Sequence, residues 1–297
     1  MSTYSIKDLE QLTGIKAHTI RIWEQRYNIV SPQRTDTNLR YYNSEDLKMM
    51  LNVSTLNNNG HKISKIAKMS NAEINNHVLT VISKKENHSD QIRALTLSMV
   101  EMDENRFEKI MANNILQHGF EDTMINIVFP FLIQIGYLWQ TNAVNPAQEH
   151  FMTNLIRQKI YVAIDGQFSK QVESQHTFML FLPEGELHEI SLLFACYLIR
   201  ARGFKVYYLG QSLPLSDLNS AYMLHEPDFL LSIITSTPGN GQIQKYVDTL
   251  SETFSDANIL LTGSQIVGQG LNMNENIEVL FHFNTLIDLL KQVQKAK

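Results

Sequence analysis

The chain has 297 residues, 43% of them hydrophobic, so it can bury a substantial core and divide into two or three domains. A net charge of −5 argues against binding nucleic acid over its whole surface, and a single cysteine, Cys196, excludes an internal disulfide framework. That cysteine count suits a reducing compartment, and the polar start "MSTYSIKDLE" lacks the build of a signal peptide, so a cytoplasmic protein is expected.

The charge is uneven. Residues 1–68 hold ten Lys and Arg against six Asp and Glu, a balance of +4, whereas the rest hold fifteen against twenty-four, a balance of −9. A basic head on an acidic body suggests two functions.

In "YSIKDLEQLTGIKAHTIRIWEQRY" a short helix carries Ile6, Leu9 and Leu12, and Thr13-Gly14 makes a turn. A second helix follows with Ile15, Ile20 and Trp23 facing inward. Two helices across such a turn form a helix-turn-helix, whose second helix enters the major groove. Its outer face carries Lys16, His18, Thr19, Arg21, Gln25 and Arg26. Next, Pro32 and a Thr37-Asn38 turn separate two short extended pieces bearing Arg34, Arg40, Tyr41 and Tyr42, a wing able to grip phosphates. Ser44 is expected to cap a further helix, and a helical pair follows Gly60.

This region, residues 4 to about 70, resembles the DNA-binding head of the MerR family of transcriptional regulators, on the framework "TGI…TIRIWEQRY…P…R…NLRYY". The resemblance implies that Thr19 and Arg21 lie on the recognition helix and that Arg34, Arg40 and Tyr42 contact the DNA backbone. It also implies a dimer, although the long helix through which the family often pairs is absent here. The polar "SKKENHSDQ" reads as a linker or short helix.

From about 78 to 168, apolar residues recur at helical spacing, which predicts four or five antiparallel helices. The run "TMINIVFPFLIQIGYLW" nears membrane-spanning length, but Asn126, Pro130 and Gln134 interrupt it, so a buried helix is expected and no membrane partner. Asn145-Pro146 starts the last helix and places Glu149 and His150 in its first turn, where the helix dipole favours a glutamate.

Residues 175–297 alternate strand and helix, and strands apolar on both faces belong in a parallel sheet covered by helices. Such sheets bind ligands beyond the carboxyl ends of their strands. Three loops fall there: "EGELHEIS", "STPGNG" and "TGSQI". There is no G-x-G-x-x-G and no P-loop, so nucleotide binding has little support.

The first loop instead offers Glu186-x-His188-x-x-Ser191, which resembles the acidic-x-His-x-x-Gly signature of the cobalamin-binding domain shared with methionine synthase and the B12-dependent mutases. Ser232 and Gly263-Ser264 stand where that family has Ser-x-Leu and Gly-Gly. The resemblance implies that His188 ligates cobalt from below while Glu186 takes the other ring N–H. Ser232 and Gly263 are then expected to leave a slot for the nucleotide tail. Ser191 and Ser264 each replace a glycine of the signature.

The order of head, bundle and α/β domain resembles the light-sensing cobalamin repressors of the CarH/LitR type, whose bundle carries a tryptophan followed after nine residues by Glu-His. Trp139, Glu149 and His150 reproduce that spacing. The resemblance implies that Trp139 caps the upper ligand of adenosylcobalamin, that Glu149 touches its adenosyl group, and that His150 takes the upper cobalt position once light removes it. It further implies a homodimer or homotetramer whose assembly sets affinity for double-stranded promoter DNA.

The expected architecture is thus multidomain α and α/β. It comprises a winged helix-turn-helix over 1–74, a helical bundle capping cobalamin over 78–170, and a Rossmann-like B12-binding domain over 175–297. A winged head and no barrel-sized substrate domain argue for a regulator rather than a corrinoid enzyme. The competing reading is a cobalamin-independent MerR-type regulator that answers a protein or another small molecule.

Overall fold

A computed structural model describes residues 4–34, 40–58, 60–82, 88–140, 145–167, 176–237 and 242–295. The chain divides into two compact units, Met1–Leu155 and Ile156–Lys297.

The first unit opens with β1 (Tyr4–Ser5) and α1 (Ile6–Thr13), joined by a capping box in which Ser5 Oγ accepts from Asp8 N and Asp8 Oδ2 accepts from Ser5 N. Gly14 ends α1 at φ 72°, the left-handed conformation in which glycine is unstrained, and so turns the chain into α2 (Ala17–Tyr27). Glu10 on α1 accepts from Ala17 N at 3.0 Å and thereby caps α2 from its neighbour. The wing pieces are β2 (Gln33–Arg34) and β3 (Arg40–Tyr42) in an antiparallel sheet of order β1-β3-β2. The strand β1, too short for any alternation to register, was not expected from the sequence. The predicted Thr37-Asn38 turn lies outside the described residues.

Asn43, not Ser44, caps α3 (Ser44–Asn58): Asn43 Oδ1 accepts from Asp46 N at 2.9 Å and Asp46 Oδ2 accepts from Asn43 N. The helical pair after Gly60 is α4 (Ile63–Ile66) and α5 (Asn71–Ile82). There follow α6 (His88–Glu101) and α7 (Glu104–Thr123), the latter broken at Gly119 with φ 81°. A π-helical turn over Met124–Val128 leads into α8 (Phe129–Gln140). The next helix, α9 (Pro146–Asp165), runs across the boundary at Leu155 and starts as predicted: Asn145 Oδ1 accepts from Ala147 N and Gln148 Oε1 accepts from Asn145 N. Among the described residues, no helix is long and apolar enough to cross a membrane.

The second unit is built on a five-stranded parallel sheet of order β5-β4-β6-β7-β8. Its strands are β4 (Thr177–Pro183), β5 (Lys205–Leu213), β6 (Phe229–Ile233), β7 (Asn258–Thr262) and β8 (Ile277–Val279). The connecting helices are α10 (Ile190–Ala201), α11 (Leu215–His225) and α12 (Ile243–Thr253), with α13 (Phe283–Lys295) last. In β4 every residue from Phe178 to Pro183 is buried, and all of β6 is buried, as continuous apolar runs in a doubly covered sheet require. Because β4 is followed outward by β5 on one side and by β6 on the other, the strand order reverses between β4 and β6. That is the switch point where open α/β sheets hold ligands.

Candidate functional site

Two of the three predicted loops leave the neighbouring strands β4 and β6, and they are fastened together through Glu186. Its side chain is fully buried, and its Oε1 lies 2.5 Å from Nδ1 of His188. The same oxygen accepts from the backbone N–H of Leu187 and of His188. The other, Oε2, accepts from Thr235 N and Thr235 Oγ1, each at 2.8 Å, and from Ser236 N at 2.6 Å. Burial by itself pushes this carboxyl up. Hydrogen bonds from His188, the Ser236 backbone and both groups of Thr235 outweigh it and hold Glu186 well below the usual carboxylate range.

The consequence for His188 is orientation. A carboxylate accepts only, so Nδ1 carries a proton, and in the neutral ring Nε2 is the nitrogen left with a lone pair. The imidazole is 68% exposed beside its buried partner, so it is held at the base and open at the tip. That is the arrangement of a histidine prepared to ligate a metal with its second nitrogen oriented by a carboxylate.

The other predicted residues of this unit surround the pair in different ways. Ser191 is half-buried in the first turn of α10. Ser232, in register with Phe181 of β4 and Leu261 of β7, is fully buried, and its Oγ has no hydrogen-bond partner. An orphan hydroxyl in the strand beside the switch point fits a ligand that brings its own hydrogen-bonding group. At Gly263, with φ 109°, a Cβ would run into the carbonyl group of Ile234, so the close backbone packing between the ends of β6 and β7 itself requires glycine there. Ser264 donates its hydroxyl to Thr235 O at 3.0 Å, so the serine in place of a glycine braces the loop that holds Glu186.

In the first unit, Glu149 and His150 occupy the first turn of α9, with His150 Nε2 3.6 Å from Glu149 Oε2 and the imidazole 71% exposed. Trp139 belongs to α8, but its side chain lies outside the described residues.

The head places Ile20 and Trp23 in the core and leaves His18, Arg21, Gln25 and Arg26 exposed on the far side of α2, as predicted. Thr19 is half-buried on its flank. Lys16 is exposed and paired with Glu10 at 2.9 Å. On the wing, Arg34 is exposed, and Tyr41 donates to Gln33 Oε1 across the strands at 2.6 Å. Tyr42 requires a correction: it is fully buried and its hydroxyl donates to Glu24 Oε1, so it cannot meet a phosphate. Arg40 Nε lies 3.3 Å from the other Glu24 oxygen, so Glu24 ties the wing to the recognition helix.

Sequence reasoning missed Thr235 and Ser236, although hydroxyl residues directly after a buried strand are a usable signal for a polar rim. It also missed Glu189, next to His188, which accepts from Tyr208 OH at 3.0 Å and faces Arg157 Nε at 3.8 Å. Burial, then the Glu189 charge and hydrogen bond, push the Tyr208 hydroxyl far above the ordinary tyrosine range, so it keeps its proton and donates it to Glu189. A third omission is Glu101, which joins Lys48 of α3 to Arg106 of α7.

Comparison with known proteins bears on the head and on the helices that follow it. The family model for MerR HTH family regulatory proteins matches residues 4–73, and a B12 binding domain model matches residues 91–164, the helical segment α6–α9. The chain is 26% identical over 255 residues to the HTH-type transcriptional repressor CarH of Myxococcus xanthus, covering 84% of this chain and 83% of that one. It is 22% identical over 307 residues to the HTH-type transcriptional repressor CarA of the same organism, covering 99% of each. In fold it is similar to the monomethylamine corrinoid protein of Methanosarcina barkeri, with a TM-score of 0.56 at 12% identity over 70% of this chain and 100% of that one. The chain therefore joins a MerR helix-turn-helix domain to a B12-binding domain and is a homologue of the repressors CarH and CarA.

Proposed function

We propose that this chain is a cytoplasmic transcriptional regulator, not an enzyme, whose oligomeric state and grip on promoter DNA are set by adenosylcobalamin. Its working parts are a winged helix-turn-helix over 1–74, a helical bundle over 78–170 and an α/β domain over 175–297. The observation that carries this reading is the Glu186–His188 pair, a buried, fully hydrogen-bonded carboxylate 2.5 Å from the ring of an exposed histidine. His188 would hold the cobalt through Nε2, and the orphan hydroxyl of Ser232 would hydrogen-bond to the cofactor. Trp139, Glu149 and His150 would be further cofactor-binding residues. Bound there, the cofactor supplies a cobalt–carbon bond that light can break, and in that case the chain is a light sensor.

The chain's own residues do the rest. Glu186 fixes the tautomer of His188, Thr235 and Ser236 fix Glu186, and the exposed arginines of α2 and the wing supply the salt-dependent hold on DNA. The purified chain, incubated with adenosylcobalamin in darkness, is expected to carry a coloured, roughly stoichiometric corrinoid through gel filtration. His188→Ala is expected to lose it, and His150→Ala to keep it in the dark. An uncoloured eluate, or undiminished retention by His188→Ala, overturns the assignment and favours a regulator that answers another partner.

A further inference from the structure

The recognition helix carries an apolar side chain that its own core does not use. With about 100° of rotation per residue, the buried pair Ile20 and Trp23 fixes which way α2 faces. Diametrically opposite stand His18 and Gln25, with Ile22 about 50° further round toward Arg26, and all three are exposed. Arg21 and Arg26 flank this crown on its two sides, also exposed. Ile22 is 45% exposed on that face, midway round the helix between His18 and Arg26.

A single exposed isoleucine on an ordinary surface needs no explanation. This one lies between two arginines on the helix that a helix-turn-helix inserts into the major groove, in the segment of the chain that carries its positive charge. The arginines suit a polyanion, and the face between them is therefore the one that meets base edges. Among those edges only thymine offers an apolar group, its C5-methyl, and the rest offer donors and acceptors that isoleucine cannot satisfy. An isoleucine pressed on a polar edge strips its water and returns no hydrogen bond. On a methyl it buries apolar surface on both sides.

We infer that Ile22 is a specificity-determining residue that seats against the C5-methyl of one thymine in each half-site, with Arg21 and Arg26 anchoring the phosphates on either side. This rests on the reading of the chain as a DNA-binding regulator, which can fail separately.

The test uses the full chain and a duplex enriched by it from a random library. Each thymine of the half-site is replaced in turn by deoxyuridine, which removes only the methyl group. For the parent, one replacement is expected to weaken binding about fourfold, the effect of one buried methyl group. Ile22→Ala is expected to bind the thymine duplex about as weakly as the parent binds the deoxyuridine duplex, and to be indifferent to that replacement. Ile22→Val, which keeps a branched methyl contact, is expected to retain part of the discrimination. Equal sensitivity in parent and Ile22→Ala, or no sensitive thymine in the parent, overturns the inference and leaves the regulator reading intact. Failure to enrich any duplex overturns both.

Discussion

Thr235 donates its backbone N–H and its hydroxyl to one oxygen of Glu186, each at 2.8 Å. A residue at the end of β6 therefore sets the position of a carboxylate at the end of β4, and through it the ring of His188. Ser264 extends the chain of contacts to the end of β7 by donating to Thr235 O. Three neighbouring strands thus converge on one imidazole, which explains how a side chain two-thirds exposed can be held in a single orientation.

Thr235→Val removes the hydroxyl while keeping the shape and the backbone donor. If His188 is oriented through this contact, corrinoid affinity is expected to fall by about tenfold, the usual effect of removing an outer partner of a metal ligand. Absorbance titration with adenosylcobalamin in darkness measures it. Affinity equal to the parent's shows that Glu186 does not need the hydroxyl to aim the ring.

Glu186 also predicts a pH dependence. Its folded carboxyl titrates below the unfolded value of about 4.3, so its contribution to stability is fully present above that value and is lost as the pH falls toward the folded one. Glu186→Gln is expected to cost about 3 kcal/mol at neutral pH, since it turns an acceptor surrounded by donors into a donor. In thermal unfolding of the free protein, the gap between parent and variant is expected to stay constant from pH 7 to about pH 5 and to narrow below that. A gap that widens on acidification contradicts the assignment.

Much of this was legible in the chain itself. The helix-turn-helix followed from Gly14 and the inward spacing of Ile20 and Trp23, and the parallel sheet from the unbroken apolar run of β4. The alternation of strand and helix located the loops at the strand ends, and the resemblance to the cobalamin-binding signature named the residues on them. What escaped had no periodic signal. The strand β8 is three residues long in a polar segment, and β1 is two. The burial of Tyr42 and the steric demand on Gly263 depend on partners far along the chain, Glu24 and Ile234. Spacing named Glu186 but could not show that most of its donors come from the loop after β6.

Ser232 allows a test in which stability and affinity move in opposite directions. A buried hydroxyl without a partner is a cost to the free protein, so Ser232→Ala is expected to raise its stability by about 1 kcal/mol. If that hydroxyl serves the cofactor, the same change is expected to weaken corrinoid binding several-fold, because the ligand then loses its partner. Melting temperature without ligand and a dark titration with it give the two readings. A variant that is less stable and binds equally well assigns Ser232 to the fold alone.

Glu101 joins the DNA-binding head to the helices that follow it. Its carboxylate meets Lys48 Nζ of α3 at 2.5 Å and Arg106 at the start of α7, and all three side chains are less than one-third exposed. Glu101→Gln leaves two cations facing each other with no anion between them, at a cost of about 1 kcal/mol for a partly solvated cluster. The helix α3 is then less firmly fixed to α6, while nothing at His188 is altered. Corrinoid retention is expected to match the parent's, and the ratio of duplex affinities with and without adenosylcobalamin to fall toward one. Fluorescence anisotropy on a labelled duplex, with cofactor and without, measures that ratio. A ratio that survives the substitution means that the signal reaches the head by a route other than this cluster.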